Sequence, residues 1–222
     1  MMGAMSSDPA PTVERLPLPE PVLASRIVAV LPDVAAADLF APVEVMVEEG
    51  IKVFSLPAGD LERFTTVTSV FGARASFAVH GVMTIDEIDP LVAAGVSMCL
   101  PVAAAPELLA ELRAAGIAAA PDALTPIEVR AAWAAGADAV QVIPADLGGA
   151  TYGESLAALA PGAVCVPRGG VGSYAMRNWL MAGAPAVCLD DTLVGDACRG
   201  GTLPSLRERC RSVLAVITDI RA

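Results

Sequence analysis

Lysine is nearly missing from this chain: Lys52 is the only one, and His80 is the only histidine. Covalent amine catalysis by a side chain therefore depends on a single position. Aromatic residues make up only 4% of the sequence against a 55% hydrophobic content, so the core has to be built from Ala, Val, Leu and Ile. Positive charge is scarce too, with 14 Lys and Arg against 25 Asp and Glu. The resulting formal charge of −11 and pI near 4.4 argue against a nucleic-acid or anionic-membrane partner, because phosphates are repelled at long range. No CxxC pair occurs among Cys99, Cys165, Cys188, Cys198 and Cys210, and the first three lie in apolar runs, where a free thiol behaves as a small hydrophobe. The longest uncharged stretch, Leu91 to Pro106, is broken by Gly95 and Pro101 and is too short to span a bilayer. The opening MMGAMSS lacks the basic and apolar regions of a signal peptide, which leaves a soluble, reducing, cytoplasmic setting as the expectation.

What the chain does have is one recurrent unit: an Ala-rich helical end, a glycine, then a short apolar run. It recurs as VEEG-IKVFSL, VAAG-VSMCLP, RAAG-IAAAP, WAAG-ADAVQVIP, LAPG-AVCVP and LMAG-APAVCL. Glycine just past a helix supplies the left-handed conformation that ends it. The apolar runs that follow read as strands buried on both faces, as in a parallel sheet. The six glycines, Gly50, Gly95, Gly116, Gly136, Gly162 and Gly183, are 45, 21, 20, 26 and 21 residues apart, and the first gap holds two units. With Arg26–Leu31 and Arg74–His80 added, eight strands alternate with helices. That pattern predicts an α/β fold, a (β/α)8 TIM barrel forming a single domain with a short N-terminal helix. The competing doubly wound sheet would show a glycine-rich turn after its first strand, where this chain reads LPDVAAAD. Residues 1–25 are expected to form a tail, linker and capping helix at the barrel floor, and 26–222 the barrel.

In such a barrel the chemistry lies at the C-terminal strand ends. In order these ends supply Asp33, Ser55, His80, Pro101, Asp122, Gln141 with Asp146, Arg168, and Asp190 with Asp191. An imidazole, several carboxylates, an amide and a guanidinium suit proton transfer beside a carbonyl. Asp33, Asp122 and Asp190 also sit where aspartates cap helices and turns, and Arg168 could simply neutralise them. Trp133 and Trp179, near helix C-termini, read as outer-helix packing or as contacts between barrels.

Four stretches resemble the KDPG/KHG aldolases, class I barrels that cleave 2-keto-3-deoxy-6-phosphogluconate or 4-hydroxy-2-oxoglutarate: VEEGIKVFSL, MCLPV, VQVIPADLGG and VPRGGV. The register runs from about Arg26 to Val194, and Pro144–Asp146 together with Gly169–Gly170 carry most of its specificity. The resemblance implies a Schiff-base lysine at the position held here by Gln141, a proton-shuttling glutamate at Ser55, and a carboxylate-holding arginine at Gly59. It likewise implies a threonine at Gly81, and a phosphate-binding Gly-Gly-Ser at Leu189, Asp190 and Asp191. An amide forms no imine, and two carboxylates repel a phosphate. Lys52 lies on the strand parity opposite Ser55 and ~10 Å below it, facing outward near the floor.

The sequence thus predicts an aldolase-like barrel, a lyase or isomerase, repurposed for acid/base chemistry without an imine. Its substrate is expected to be a small, unphosphorylated carbonyl compound, undergoing enolisation, elimination or an aldol-type cyclisation. His80, Gln141, Asp122 and Asp190 are the expected catalytic residues. Ser55, Pro101, Asp146, Arg168, Gly169, Gly170 and Asp191 are expected to bind substrate. No cofactor or metal site is predicted, although a variant places a divalent cation between His80 and two aspartates. The resemblance implies a homotrimer. The alternative is an inactive homologue serving as a small-molecule binder or an assembly subunit.

Overall fold

A computed structural model describes residues 14–149 and 151–221. The expected tail therefore lies largely outside the described residues. Helix α1 (Glu20–Ser25) precedes strand β1 (Ile27–Val30), and βα units follow: α2 (Ala36–Glu49), β2 (Val53–Pro57), α3 (Leu61–Phe71), β3 (Ser76–Val82), α4 (Ile88–Ala93) and β4 (Met98–Pro101). The second half runs α5 (Pro106–Ala114), β5 (Ala118–Ala119), β6 (Asp122–Ala123), α6 (Pro126–Ala134), β7 (Val140–Val142), α7 (Tyr152–Leu159), β8 (Cys165–Pro167), α8 (Ser173–Met181), β9 (Val187–Leu189), α9 (Asp191–Val194) and α10 (Leu203–Arg221).

The six repeat glycines all adopt positive φ, from 74° to 110°, where each helical segment ends. A side chain there would strain the backbone, so the glycines fix where each helix turns back into the sheet. The strands pair in parallel as a curled six-stranded sheet ordered β5-β4-β3-β2-β1-β9, and as a three-stranded sheet β6-β7-β8. The expected barrel is seen in this coarser form, an α/β fold with a parallel half-barrel sheet. The two sheets meet at a bridge between Arg168 and Cys188 and through hydrogen bonds from Ala139 N to Ala119 O and Gln141 N to Pro121 O. The fifth strand position is split into β5 and β6 around Ala120–Pro121, where proline supplies no N–H for a ladder.

Alternation along the strands sorts the core into two clusters. One lies between sheet and helices and takes Ile27, Phe54, Val79, Cys99 and Val187 with the apolar helix faces. The other gathers Val28, Val30, Val53, Ala78, Met98, Leu100, Ala118, Ala120, Ala139, Val166, Ala186 and Cys188, drawn from both sheets. Leu18 and Val22 join this inner cluster from beneath. The segment before α1 is held by buried Asp138, which accepts from Leu16 N at 2.7 Å and from Ala119 N at 2.8 Å.

Both tryptophans are used within the chain. Trp179 is 3% exposed and stands edge-on to Tyr152, and Trp133 lies under the Arg15 guanidinium, 3.6 Å from its centroid. Burial raises the pKa of all five free thiols, as expected of small hydrophobes rather than reactive groups. Among the described residues, no helix is long and apolar enough to cross a membrane.

Candidate functional site

Above the inner cluster, the same strand faces turn polar. On β2, Val53 gives way to Ser55, and on β3, Ala78 gives way to His80. On β7, Ala139 is followed by Gln141, and beyond β8 and β9 the inner parity brings Arg168 and Asp190. Ser55 and Gln141 are both fully buried. Because a buried polar group needs a partner, the residues pair. The Ser55 hydroxyl meets His80 Nδ1 at 3.0 Å, and the Gln141 side-chain amide donates to the Asp122 carboxylate. Gly81, at φ +85°, lets β3 slip one residue against β4 directly after His80.

His80, Arg168, Asp190 and Asp191 share one cavity of about 260 Å³ with Asp33 and Arg199. Arg168 Nε lies 3.7 Å from Asp190 Oδ2, an ion pair too long for a hydrogen bond, and this buried N–H has no hydrogen-bond partner among the described residues. A guanidinium lining a cavity suits a ligand carboxylate. Gln141 Oε1 is likewise buried without a partner among the described residues.

The electrostatics follow from this burial. His80 is pushed down to about 3, first by desolvation and then by the Arg168 and Arg63 cations, with Asp33 opposing, so its ring is neutral at physiological pH. Burial pushes Asp122 up to about 6, against the pull of the Gln141 hydrogen bond and of Arg168. Asp190 is also raised by burial, opposed by Arg168. The Arg168 charge thus acts on His80, Asp122 and Asp190 alike.

None of the three aspartates read as possible caps makes a capping hydrogen bond. Asp122 takes the Gln141 amide, Asp190 faces Arg168, and Asp33 accepts from Arg63 Nη1 at 2.5 Å. Arg63 went unrecognised in the sequence, although it is 6% exposed and also donates to Val34 O. Its only local signal is Asp60, which caps α3 through Arg63 N at 2.8 Å; the contact with Asp33 bridges 30 positions. Arg199 was missed in the same way and enters the cavity from the turn beyond α9.

The remaining expected binding residues do not line this cavity. Pro101 lies on the β4 parity opposite Leu100 and pairs with Val82. Asp146 packs against Gly170, whose φ is +69° and where a Cβ would fall 2.3 Å from Asp146 Oδ2. Gly169 abuts Pro144 in the same way, and Ala145 N donates to Arg168 O at 2.7 Å. The Pro-Ala-Asp and Arg-Gly-Gly turns therefore lock together and fix the backbone that carries Arg168. Lys52 is exposed and donates to Val47 O at 3.1 Å near the sheet's lower edge, away from the cavity. Among the described residues, no three His, Cys, Asp or Glu side chains converge as a metal site.

Comparison with known proteins agrees with this architecture. The family model described as "KDPG and KHG aldolase" matches residues 20–199. The 2-keto-3-deoxy-6-phosphogluconate aldolase of Zymomonas mobilis ATCC 29191 superposes with a TM-score of 0.73 at 19% identity, covering 88% of this chain and 95% of that one. The KDPG aldolase of Legionella pneumophila, captured with pyruvate as a covalent carbinolamine, gives 0.72 at 20% identity, over 86% and 95%. Thiamine phosphate pyrophosphorylase from Pyrococcus furiosus gives 0.66 at 13% identity, over 90% and 100%. At these identities the likeness is one of fold. No curated protein matches the chain.

Proposed function

The chain belongs to the KDPG and KHG aldolase family, and from that premise we propose that it is an aldolase-like lyase that works on a small 2-oxo acid without forming an imine. The two sheets are read as arcs of one (β/α)8 barrel whose fifth strand is interrupted at Pro121. The carrying observation is the meeting of His80, Arg168 and Asp190 on one cavity at the strand ends, while an amide occupies the inner-face position of Gln141.

In this reading the Arg168 guanidinium, which lines the cavity, takes the substrate carboxylate. When the Ser55 hydroxyl donates to Nδ1, the neutral His80 ring carries its proton on Nε2 and polarises the substrate carbonyl oxygen. Its depressed pKa keeps it an imidazole rather than an imidazolium. Asp190 removes the proton α to that carbonyl, and Arg168 neutralises the charge that moves onto oxygen. Asp122, hydrogen-bonded to Gln141 and poised about one unit below neutrality, is proposed as a second acid/base group, although it lines another cavity with Leu124 and Ile143. Three carboxylates, Asp33, Asp190 and Asp191, face two guanidiniums on this cavity, which disfavours a dianionic phosphate and favours an unphosphorylated substrate. The cytoplasm is the proposed setting, and a homo-oligomer, a trimer by family resemblance, the proposed assembly.

A second reading, a binder without turnover, is favoured by the full burial of Gln141 and Ser55, which closes over the position where the resemblance places a reacting amine. Deuterium exchange at the methyl group of pyruvate in D2O separates the two. The enzyme reading expects exchange above background and a loss of ~10²-fold or more in Asp190→Asn or His80→Gln. Pyruvate binding without exchange would leave the binder reading in its place.

A further inference from the structure

The opposite end of the molecule carries a second polar cavity that the chemistry above does not use. It has a volume of about 480 Å³ and lies between α1, the starts of β2 and β3, and the end of α10. Three of the chain's 14 basic side chains line it: Lys52, Arg74 and Arg221. Ser25 and Ser76 add hydroxyls, and among the described residues none that lines it is a carboxylate, in a chain with 25 Asp and Glu. That lining inverts the sign of the chain's net charge of −11.

The donors there are only partly used. Lys52 spends one N–H on Val47 O, and an ammonium has three. Arg221 spends one Nη2 hydrogen on Ala24 O at 2.5 Å, leaving four of a guanidinium's five. Arg74 is engaged by Glu44 through both Nη atoms, at 2.6 and 2.7 Å, so it contributes position more than net charge. Glu48 also acts on Arg74 from α2. The free cationic charge in the cavity is therefore that of Lys52 and Arg221, with Ser76 at the start of β3 supplying an uncharged donor. Ser76 and Lys52 are held together by the backbone bond from Ser76 N to Lys52 O at 2.9 Å.

We propose that this floor cavity, built on Lys52, Arg221 and Ser76, binds a phosphate group, either free phosphate or the phosphate of a small metabolite. Two cations and a hydroxyl without a facing carboxylate match a compact, multiply charged oxyanion with several acceptor oxygens. The site is separate from the strand-end cavity, where Asp33, Asp190 and Asp191 oppose such an ion. It also gives the lone lysine a role independent of amine catalysis.

The test is titration of the 15N-labelled full chain with sodium phosphate, and separately with ribose 5-phosphate, against sodium chloride at matched ionic strength. Saturable shifts at the amides around Lys52 and Ser76, with the His80 ring signal unmoved, are expected. Lys52→Gln and Arg221→Gln, both at exposed positions and each checked for folding by circular dichroism, should each weaken binding about tenfold or more. Tighter binding of the sugar phosphate would identify a metabolite as the source, and equal binding would identify the free ion. Shifts no larger than chloride produces, or binding that survives both substitutions together, would overturn the proposal. Shifts centred on His80 instead would overturn it and would also contradict the unphosphorylated substrate assigned to the other cavity.

Discussion

A single histidine makes its protonation directly measurable, because the folded protein has one imidazole C2–H signal. His80 falls from the ordinary 6.5 to about 3, through burial and then through Arg168 and Arg63. A depressed pKa means that folding favours the neutral ring. The unfolded chain takes up the proton first as pH falls, so stability present above 6.5 drains away below it. At pH 5 the unfolded imidazole has gained 1.5 units of protonation free energy, about 2 kcal/mol at 1.36 kcal/mol per unit. That figure holds for any folded pKa below about 4, so the exact depression matters little. His80→Gln removes the group and should lose about 2 kcal/mol less than wild type between pH 8 and pH 5 in urea unfolding at 25 °C. The wild-type ring signal should not titrate between pH 8 and 5. A midpoint near 6.5, or a difference between the two proteins under about 0.5 kcal/mol, would refute the reasoning.

Other consequences follow from the same contacts. Arg168→Gln removes a cation that depresses His80, so the ring's midpoint should rise while staying below 6.5, because burial is the larger cause and remains. Asp122 has a folded pKa raised from 3.8 to about 6, so its ionised form costs stability that is fully lost only above pH 6. The shift of about 2 units is ~3 kcal/mol before solvent screening and about 1 to 2 kcal/mol after it, so Asp122→Asn should gain that much on wild type between pH 4 and pH 8. Gly170→Ala sets a Cβ 2.3 Å from Asp146 Oδ2 at φ +69° and should cost about 1 to 3 kcal/mol in thermal or urea unfolding. Gly172→Ala, at the N-cap of α8 with nothing within 4 Å of its Cβ, loses only a favourable cap and should cost about 1 kcal/mol or less.

The framework was legible because it rests on local rules. The six glycines sit where helices must turn left-handed, and each marked a strand that the structure contains. The strand-end reading also named Ser55, His80 and Gln141, which the structure sets on the polar inner face, although the parity of the third strand, which carries His80, could not be read from the sequence. What local rules miss is partner choice. Asp33 looked like a turn residue and instead takes Arg63 from the next βα unit, because a buried guanidinium demands an acceptor wherever the fold provides one. Pro121 broke the fifth strand into β5 and β6, leaving Asp122 on a different sheet from Ala119. Asp146, Gly169 and Gly170 read as binding residues through their likeness to a family motif, whereas here they clasp each other and steady Arg168. Arg199 reaches the cavity from beyond the last strand, where no repeat could announce it.

The most direct test of imine-free chemistry is to combine pyruvate methyl exchange in D2O with borohydride reduction and intact-mass analysis. Exchange that continues unchanged, with the protein mass unaltered, is the predicted result, since among the described residues no amine lies on the strand-end cavity. Loss of exchange together with a reduced pyruvate adduct on the protein would show an imine at Lys52 or a terminal amine and contradict the account.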